Sequence, residues 1–211
     1  MATKSRKAKP ACRTGRLERK STETLIKAEL NIDGKGQSKI KTPIGILTHM
    51  LELFAFHGFF DLSLEVKGDT HVDIHHTNED IGIVLGKIFK EALKDKKGIK
   101  RFGSAFAPME STLGQTVIDI SGRGYLKINV DGNEPTKGED GYSFQHLEHF
   151  LESFAHQLGT NVIVTIKNPS SSADLHTIME TVFKSLGMSL DQATQIDPRR
   201  KIVPSTKGII D

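Results

Sequence analysis

The chain repeats itself at a spacing of about one hundred residues, and the repeat preserves histidines as well as apolar residues. Segment 47–66 reads LTHMLELFAFHGFFDLSLEV, and segment 147–166 reads LEHFLESFAHQLGTNVIVTI. Without any gap, His49 aligns with His149. A repeat of apolar residues alone would indicate duplicated packing. Because this one also keeps imidazoles and carboxylates in register, it predicts a duplicated site, most simply one that binds metal.

Each half also carries a histidine and a glutamate four residues apart. His75 and Glu79 form the first pair, with His76 beside them, and His176 and Glu180 form the second. On a helix such pairs lie on one face, within reach of one ion. Imidazole and carboxylate without thiolate favour Mn²⁺, Fe²⁺ or Zn²⁺. Two copies of the pattern predict two metals, with a possible exchange of ligands between the halves.

The hydrophobic periodicity follows the same order in both halves: strands, a helix, a strand and a helix. A single half of about 90 residues with a one-sided helix pair would leave an apolar face exposed. We therefore expect an α+β sandwich, in which the halves bury their helices against each other under two sheets. The predicted helices are 46–60, 77–94, 144–158 and 175–193, and the predicted strands are 24–32, 62–66, 71–74, 116–121, 125–130 and 161–167.

Composition places the chain among globular proteins. Of its 211 residues 36% are hydrophobic and 26% charged, and no apolar run approaches the roughly 20 residues that span a membrane. We expect no membrane partner. A single cysteine cannot form an internal disulfide, which fits a reducing compartment and predicts a cytoplasmic location.

The net charge of +3 is concentrated near the N-terminus. This basic stretch has no apolar core, so it is not a secretory signal. Its composition favours a disordered extension over residues 1–18, with a first half at 19–110 and a second at 111–211. A targeting arm or a nucleic-acid-binding tail is the alternative, but we do not expect nucleic acid to be the partner.

Basic residues also cluster beside glycine turns and small hydroxyl side chains, at 100–103, 121–123 and 205–208. Arginine offers phosphate a bidentate fork, lysine a point charge and serine a hydroxyl donor. None of these segments matches a P-loop or a dinucleotide fingerprint. Taken alone, each is a weak indication of a phosphate site.

Several motifs between residues 19 and 209 resemble, in order and spacing, those of one enzyme family. The most specific is GDTHVDIHHTNED at 68–80; HGFFD at 57–61, DPRR at 197–200 and PSTKG at 204–208 are others. In these motifs the chain resembles the imidazoleglycerol-phosphate dehydratases of histidine biosynthesis.

This resemblance implies a fold, an activity and an assembly. The fold would be two tandem ribosomal-protein-S5-domain-2-like repeats, with a helical layer between two four-stranded sheets. The activity would be that of a hydro-lyase, converting D-erythro-imidazoleglycerol phosphate to imidazole-acetol phosphate. Two Mn²⁺ per active site would hold the substrate ring as imidazolate, leading to a diazafulvene-like intermediate. The assembly would be a homo-oligomer, a 24-mer with its sites at subunit interfaces.

The resemblance also implies which residues act, position by position. Those that match metal ligands are His49, His75, His76, Glu79, His149, His176 and Glu180. Those that match substrate or phosphate positions are His57, Arg101, Arg123, Ser205 and Lys207. The candidates for proton transfer are the carboxylates Glu23, Glu79, Glu180 and Glu110, and which of them is the base stays open.

The chain departs from the family pattern at a few of these places. Thr177 stands where the second motif has its second histidine, and Glu110 and Ser111 replace an Asp-Glu pair. Leu53 and Ile74 replace a glutamine and an aspartate. Two alternatives therefore stay open: a two-metal relative with altered substrate or reduced activity, and a metal- or phosphate-binding assembly protein without turnover.

Overall fold

The structure is a computed structural model that describes residues 12–132, 138–168 and 174–210. The described residues form two four-stranded sheets with helices packed between them. The elements of the first half are β1 (Thr14–Lys20), β2 (Thr24–Asn31), β3 (Ser38–Lys41), α1 (Gly45–His57), β4 (Asp61–Gly68) and α2 (Ile74–Leu93). Those of the second half are β5 (Phe102–Met109), β6 (Thr112–Asp119), β7 (Tyr125–Gly132), α3 (Phe144–Leu158), β8 (Asn161–Asn168) and α4 (Leu175–Thr194).

Both sheets have the same topology. The strand orders are β1-β2-β4-β3 and β5-β6-β8-β7. In each sheet the last pair, β3 with β4 or β7 with β8, is parallel and the other pairs are antiparallel. The predicted α+β sandwich of two tandem repeats is thereby confirmed. None of the helices in the described part of the chain has the length and apolar content needed to cross a bilayer.

The helical layer joins the two halves by exchanging partners. Helix α1 packs against α4, and α2 packs against α3, so each pair takes one helix from each half. Glycines allow both crossings to be close: a Cβ added at Gly86 would lie 2.6 Å from the Phe154 carbonyl oxygen, and one at Gly187 would lie 2.5 Å from that of Phe54. The duplicated contact sets the spacing at which side chains of the paired helices can meet.

Gly187→Ala tests how tightly the α1–α4 crossing is set. The added methyl group meets backbone 2.5 Å away, and overpacking of this kind costs about 1–3 kcal/mol. Alanine gains up to about 1 kcal/mol in helix propensity, so we expect a net loss of unfolding free energy. Chemical denaturation measures it. Gly45→Ala in α1 is the matched control, because an added Cβ there meets nothing within 4 Å. Equal stability of the two variants would contradict the prediction.

The N-terminal boundary predicted at residue 18 is wrong. Strand β1 starts at Thr14 and pairs with β2 along its whole length. Gly15 lies directly against the backbone of Ile88 in α2, and Leu17 packs on the core. Most of the charged residues of β1 face outward, while Arg19 faces Asp80 in α2, and this density of charge hid the alternation. Residues 1–11 of the predicted extension lie outside the described residues.

Two further predictions are corrected. Residues 71–74 do not form a strand: Asp73 caps α2 by accepting a hydrogen bond from the His75 N–H, so the helix starts at Ile74 rather than at 77. The boundary between the halves is not at 110, because β5 pairs with β6 in the second sheet. The first half therefore ends after α2 and the second begins with β5. The earlier start of α2 places both of its histidines in the first helical turn.

Candidate active site

One cluster of potential metal ligands lies where α1 meets α4. Helix α1 contributes His49, and α4 contributes His176 and Glu180 from successive turns. Glu180 Oε1 lies 3.1 Å from His49 Nε2 and 3.2 Å from His176 Nε2. Among the described residues, these three side chains have the spacing of a possible metal site, because their ligand atoms all lie within 4.8 Å of one another.

Hydrogen bonds hold Glu180 in its charged form. Burial alone would raise the pKa of its carboxyl group. Hydrogen bonds from Lys184, His49 and His176, together with the charge of Lys184, outweigh burial and lower the pKa to about 2. Lys184 contacts Oε2, the oxygen that the two imidazoles do not share. Oε1 is therefore the oxygen that faces the imidazole nitrogens. Lys184 lies one helical turn beyond Glu180 and was not among the residues predicted from the sequence.

The environment of His176 acts in the opposite direction. Its burial would lower the pKa of the imidazole, but hydrogen bonds and charge from Glu139 and Glu180 outweigh that effect and raise the pKa. Glu139 Oε1 lies 3.0 Å from His176 Nδ1, so each ring nitrogen faces a carboxylate. Glu139 was not among the residues predicted from the sequence, because it lies outside the repeated motifs.

A second cluster lies where α2 meets α3. His149 Nδ1 in α3 is 3.0 Å from His75 Nδ1 in α2, and Glu79 Oε2 is 3.8 Å from His75 Nε2. Beside it, Glu23 Oε2 lies 3.6 Å from His76 Nδ1. This cluster is more open than the first, but it is built from the corresponding positions of the repeat. Each cluster joins the lone histidine of one half to the His-Glu pair of the other.

The first cluster fits a divalent transition metal. Its donors are two imidazole nitrogens and one carboxylate oxygen, the set that suits Mn²⁺, Fe²⁺ or Zn²⁺. Neighbouring ligands on one ion are roughly 3 Å apart when each bond is roughly 2.1 Å, and the 3.1 and 3.2 Å separations match that spacing. Thr177 adds no imidazole here; its backbone N–H donates to Asp174 at the start of α4.

Two aspartates near the clusters make hydrogen bonds that stabilise the fold. Among the described residues, neither carboxylate forms a hydrogen bond with a histidine ring. Asp73 caps α2. Asp80 accepts hydrogen bonds from Arg19 and from the Thr24 hydroxyl, the latter at 2.5 Å. These contacts tie β1 and β2 to α2.

The basic segments identified in the sequence converge on one cavity. It has a volume of about 190 Å³ and lies between the end of β6, the turn that follows it and the C-terminal tail. All four predicted phosphate residues line it. The complete lining is Arg101, Ser121, Arg123, Ser205, Thr206, Lys207, Ile209 and Ile210.

Arg101 holds the cavity together. Its guanidinium donates two hydrogen bonds to Asp119, at 2.6 and 3.0 Å, and one to the Pro204 carbonyl at 2.9 Å. The hydrogen bonds from Arg101 to Asp119 also raise the pKa of the arginine. Since an arginine has five N–H donors, two remain for an anion. Within the described residues, the side chains of Arg123 and Lys207 make no hydrogen bond or ion pair.

The remaining predicted residues differ in their placement. His57 at the end of α1 lies near the first cluster. Burial and the charge of Lys184 lower the pKa of its imidazole, whereas the charge of Glu180 raises it by a smaller amount. Glu110 is in the turn between β5 and β6, and no hydrogen bond or ion pair among the described residues joins it to either cluster. Leu53 and Ile74, where the pattern departs, both pack on the core.

Comparison with known proteins places these features in a family. The family model for imidazoleglycerol-phosphate dehydratase matches residues 42–190, more than half of the chain. The imidazoleglycerol-phosphate dehydratase of Pelobacter propionicus is 48% identical over 198 residues, covering 94% of this chain and 99% of its own. That of Bacillus subtilis is 47% identical over 192 residues, covering 91% of this chain and 96% of its own.

Solved structures give the same result. The Pyrococcus furiosus enzyme, in complex with (S)-C348, is 35% identical, superposes with a TM-score of 0.75, and the match covers 92% of this chain and 99% of the other. The Staphylococcus aureus enzyme is 29% identical, with a TM-score of 0.74 and coverage of 87% and 99%.

Proposed function

The chain belongs to the imidazoleglycerol-phosphate dehydratase family, and on that premise we propose that it converts D-erythro-imidazoleglycerol phosphate to imidazole-acetol phosphate. It would thus be a hydro-lyase of L-histidine biosynthesis. The observation that carries this proposal is the presence, on one chain, of two histidine-glutamate clusters and a cationic cavity. An imidazole ring suits the clusters, and a phosphate group suits the cavity.

The cavity residues would bind the phosphate end of the substrate. Arg101 and Asp119 fix the geometry of one side of the cavity. Arg123 and Lys207 are exposed cations at its opening, and Ser205 supplies a hydroxyl donor. Charge-assisted hydrogen bonds to phosphate are about twice as strong as neutral ones. The residues would therefore orient the substrate through a group that does not react.

The clusters would hold Mn²⁺, two ions per active site. The first ion would be held through His49, His176 and Glu180, and the second through His75, His76, Glu79 and His149. When bound, the two ions would supply Lewis acidity and a template that favour the imidazolate form of the substrate ring, the form able to expel hydroxide. Lys184 would keep Glu180 charged and in place.

Proton transfer would involve carboxylates beside the clusters. Glu79 and Glu180 are committed to the metal sets, whereas Glu23 is a half-exposed carboxylate beside His76 and belongs to neither set. We therefore favour Glu23 as the group that moves a proton. Glu110 would take that role only if another subunit brought its turn to the clusters.

We also propose assembly into a homo-oligomer, a 24-mer with its sites between subunits. The outer face of the second sheet supports assembly, because Phe102 and Phe106 are 59% and 57% exposed and Val117 lies on the same face. Exposed aromatic residues in a contiguous patch mark interfaces. Light scattering after gel filtration measures the mass.

The exposed thiol of Cys12 fits the proposed cytoplasmic location, where thiols stay reduced.

Turnover of imidazoleglycerol phosphate by metal-stripped protein tests the activity. We expect no reaction without added metal and restored reaction with Mn²⁺, because the donor set requires an ion for its chemistry. The enol form of the product, followed in base, gives the rate. Folded protein that binds Mn²⁺ but leaves this substrate unchanged would contradict the proposed substrate. Folded protein that binds no Mn²⁺ would contradict the proposed metal chemistry.

A further inference from the structure

The two ring nitrogens of His176 have different surroundings. Nε2 faces Glu180 Oε1 at 3.2 Å, on the side of His49, while Nδ1 faces Glu139 Oε1 at 3.0 Å. A carboxylate can only accept, so the proton of the Nδ1 atom is the one donated to Glu139. In the neutral imidazole that a metal ion would bind, Nε2 then keeps its lone pair, on the side of His49 and Glu180. Without an ion, a second proton on Nε2 can be donated to Glu180 Oε1; a metal ion in the cluster would take the place of that proton.

A tight turn carries Glu139. The Glu139 N–H donates to the Tyr142 carbonyl at 2.9 Å, and the Tyr142 N–H donates back at 2.8 Å. The two residues between them, Asp140 and Gly141, have φ of 49° and 80°. Positive φ at both central positions is the type I′ geometry, for which Asp-Gly is among the preferred sequences. The local sequence therefore specifies the turn.

The core anchors this turn. The Tyr142 side chain is fully buried, and its hydroxyl donates to Asn78 Oδ1 in α2 at 2.7 Å. The Asn78 amide donates in turn to the carbonyl of His146 in α3, at 2.8 Å. Because the turn is fixed to both helices of the second cluster, the buried contacts of Tyr142 set the position of Glu139. The turn thus connects the α2–α3 pair to His176 in α4.

We propose that Glu139 is a positioning residue of the first metal cluster, which orients His176 through Nδ1 and leaves Nε2 to bind the ion. The inference rests on the proposed metal function and adds a residue to it. Carboxylates in this relation to a ligating imidazole fix its tautomer and ring orientation and raise its basicity. The arrangement matters in this chain because Thr177 leaves His176 as the only imidazole that α4 contributes.

Replacing Glu139 tests the inference through metal affinity. Loss of such a partner costs about 10- to 100-fold in metal affinity, so Glu139→Ala should raise the Kd for Mn²⁺ by about that factor. Glu139→Gln keeps an acceptor oxygen without the charge and should restore part of the affinity. Isothermal titration of metal-stripped full-length protein with Mn²⁺ alone gives both values, without reference to turnover.

Glu152→Ala and Glu152→Gln are the matched controls, since Glu152 pairs with His156 at 3.8 Å on the exposed side of α3. They should leave the Mn²⁺ affinity unchanged. Thermal melting of each metal-free variant separates a loss of affinity from a loss of folding. Wild-type affinity in folded Glu139→Ala overturns the inference and leaves the proposed function standing. A wild-type protein that binds no Mn²⁺ overturns the metal proposal, and the inference with it.

Discussion

Replacing Glu180 by glutamine is expected to remove half of the Mn²⁺ that the protein binds and to lower turnover by at least about 100-fold, since residues that only orient a ligand already contribute about 10- to 100-fold. Glutamine keeps the shape of the side chain but loses its charge. Its amide oxygen cannot balance Lys184 and serve both imidazoles as the carboxylate does, at 3.1 and 3.2 Å from His49 and His176. Metal analysis after equilibrium dialysis against Mn²⁺ gives the stoichiometry.

The repeat supplies an internal comparison for this prediction. Glu79 occupies the corresponding position of the second cluster, so Glu79→Gln should also remove half of the metal, and the double variant should remove nearly all of it. Glu152→Gln, on the exposed side of α3, should remove none. Full occupancy in Glu180→Gln would contradict the prediction, because the first cluster would then not be a metal site.

The parts of the site that follow from periodicity could be predicted from the sequence. The His-Glu pairs were recognisable because residues four apart lie on one helix face, and the repeat showed that the pattern occurs twice. The helical boundaries of α3 and α4 were close to those observed because their apolar faces are continuous. The exchange of helices between halves follows from the same pattern, since one half alone cannot bury its helix pair.

What the sequence did not reveal depends on contacts that no local pattern encodes. Glu139 contacts His176, which is 37 residues away, and the turn that carries Glu139 is anchored by a hydrogen bond from Tyr142 to Asn78, which is 64 residues away in sequence. Strand β1 was missed because its outward side chains are charged, while Gly15 makes its packing contact without a side chain. Strand β5 carries small residues on its inner face, including Gly103, so its apolar alternation is weak. In each case a distant surface decides the role of the residue.

Removing the free cations of the proposed phosphate cavity should weaken substrate binding strongly. Arg123 and Lys207 make no side-chain hydrogen bond or ion pair within the described residues, whereas Arg101 also holds Asp119 and Pro204, so its loss would disturb the cavity itself. A hydrogen bond to a charged group contributes about 1.5–3 kcal/mol. Arg123→Gln or Lys207→Gln should therefore raise KM by about 10- to 100-fold, and the double variant by roughly 1,000-fold if the two act independently.

The division between KM and kcat tests what the cavity does. If the phosphate group serves only to hold the substrate, its contacts are equally strong in the ground state and the transition state, so KM should rise while kcat changes little. Inhibition by inorganic phosphate should weaken in parallel, because it uses the same contacts. Arg16→Gln, an exposed arginine of β1 that pairs with Glu29 on the first sheet, removes the same charge and should change neither quantity. A fall in kcat at unchanged KM would contradict a binding role, because contacts made only in the transition state would then be the ones lost.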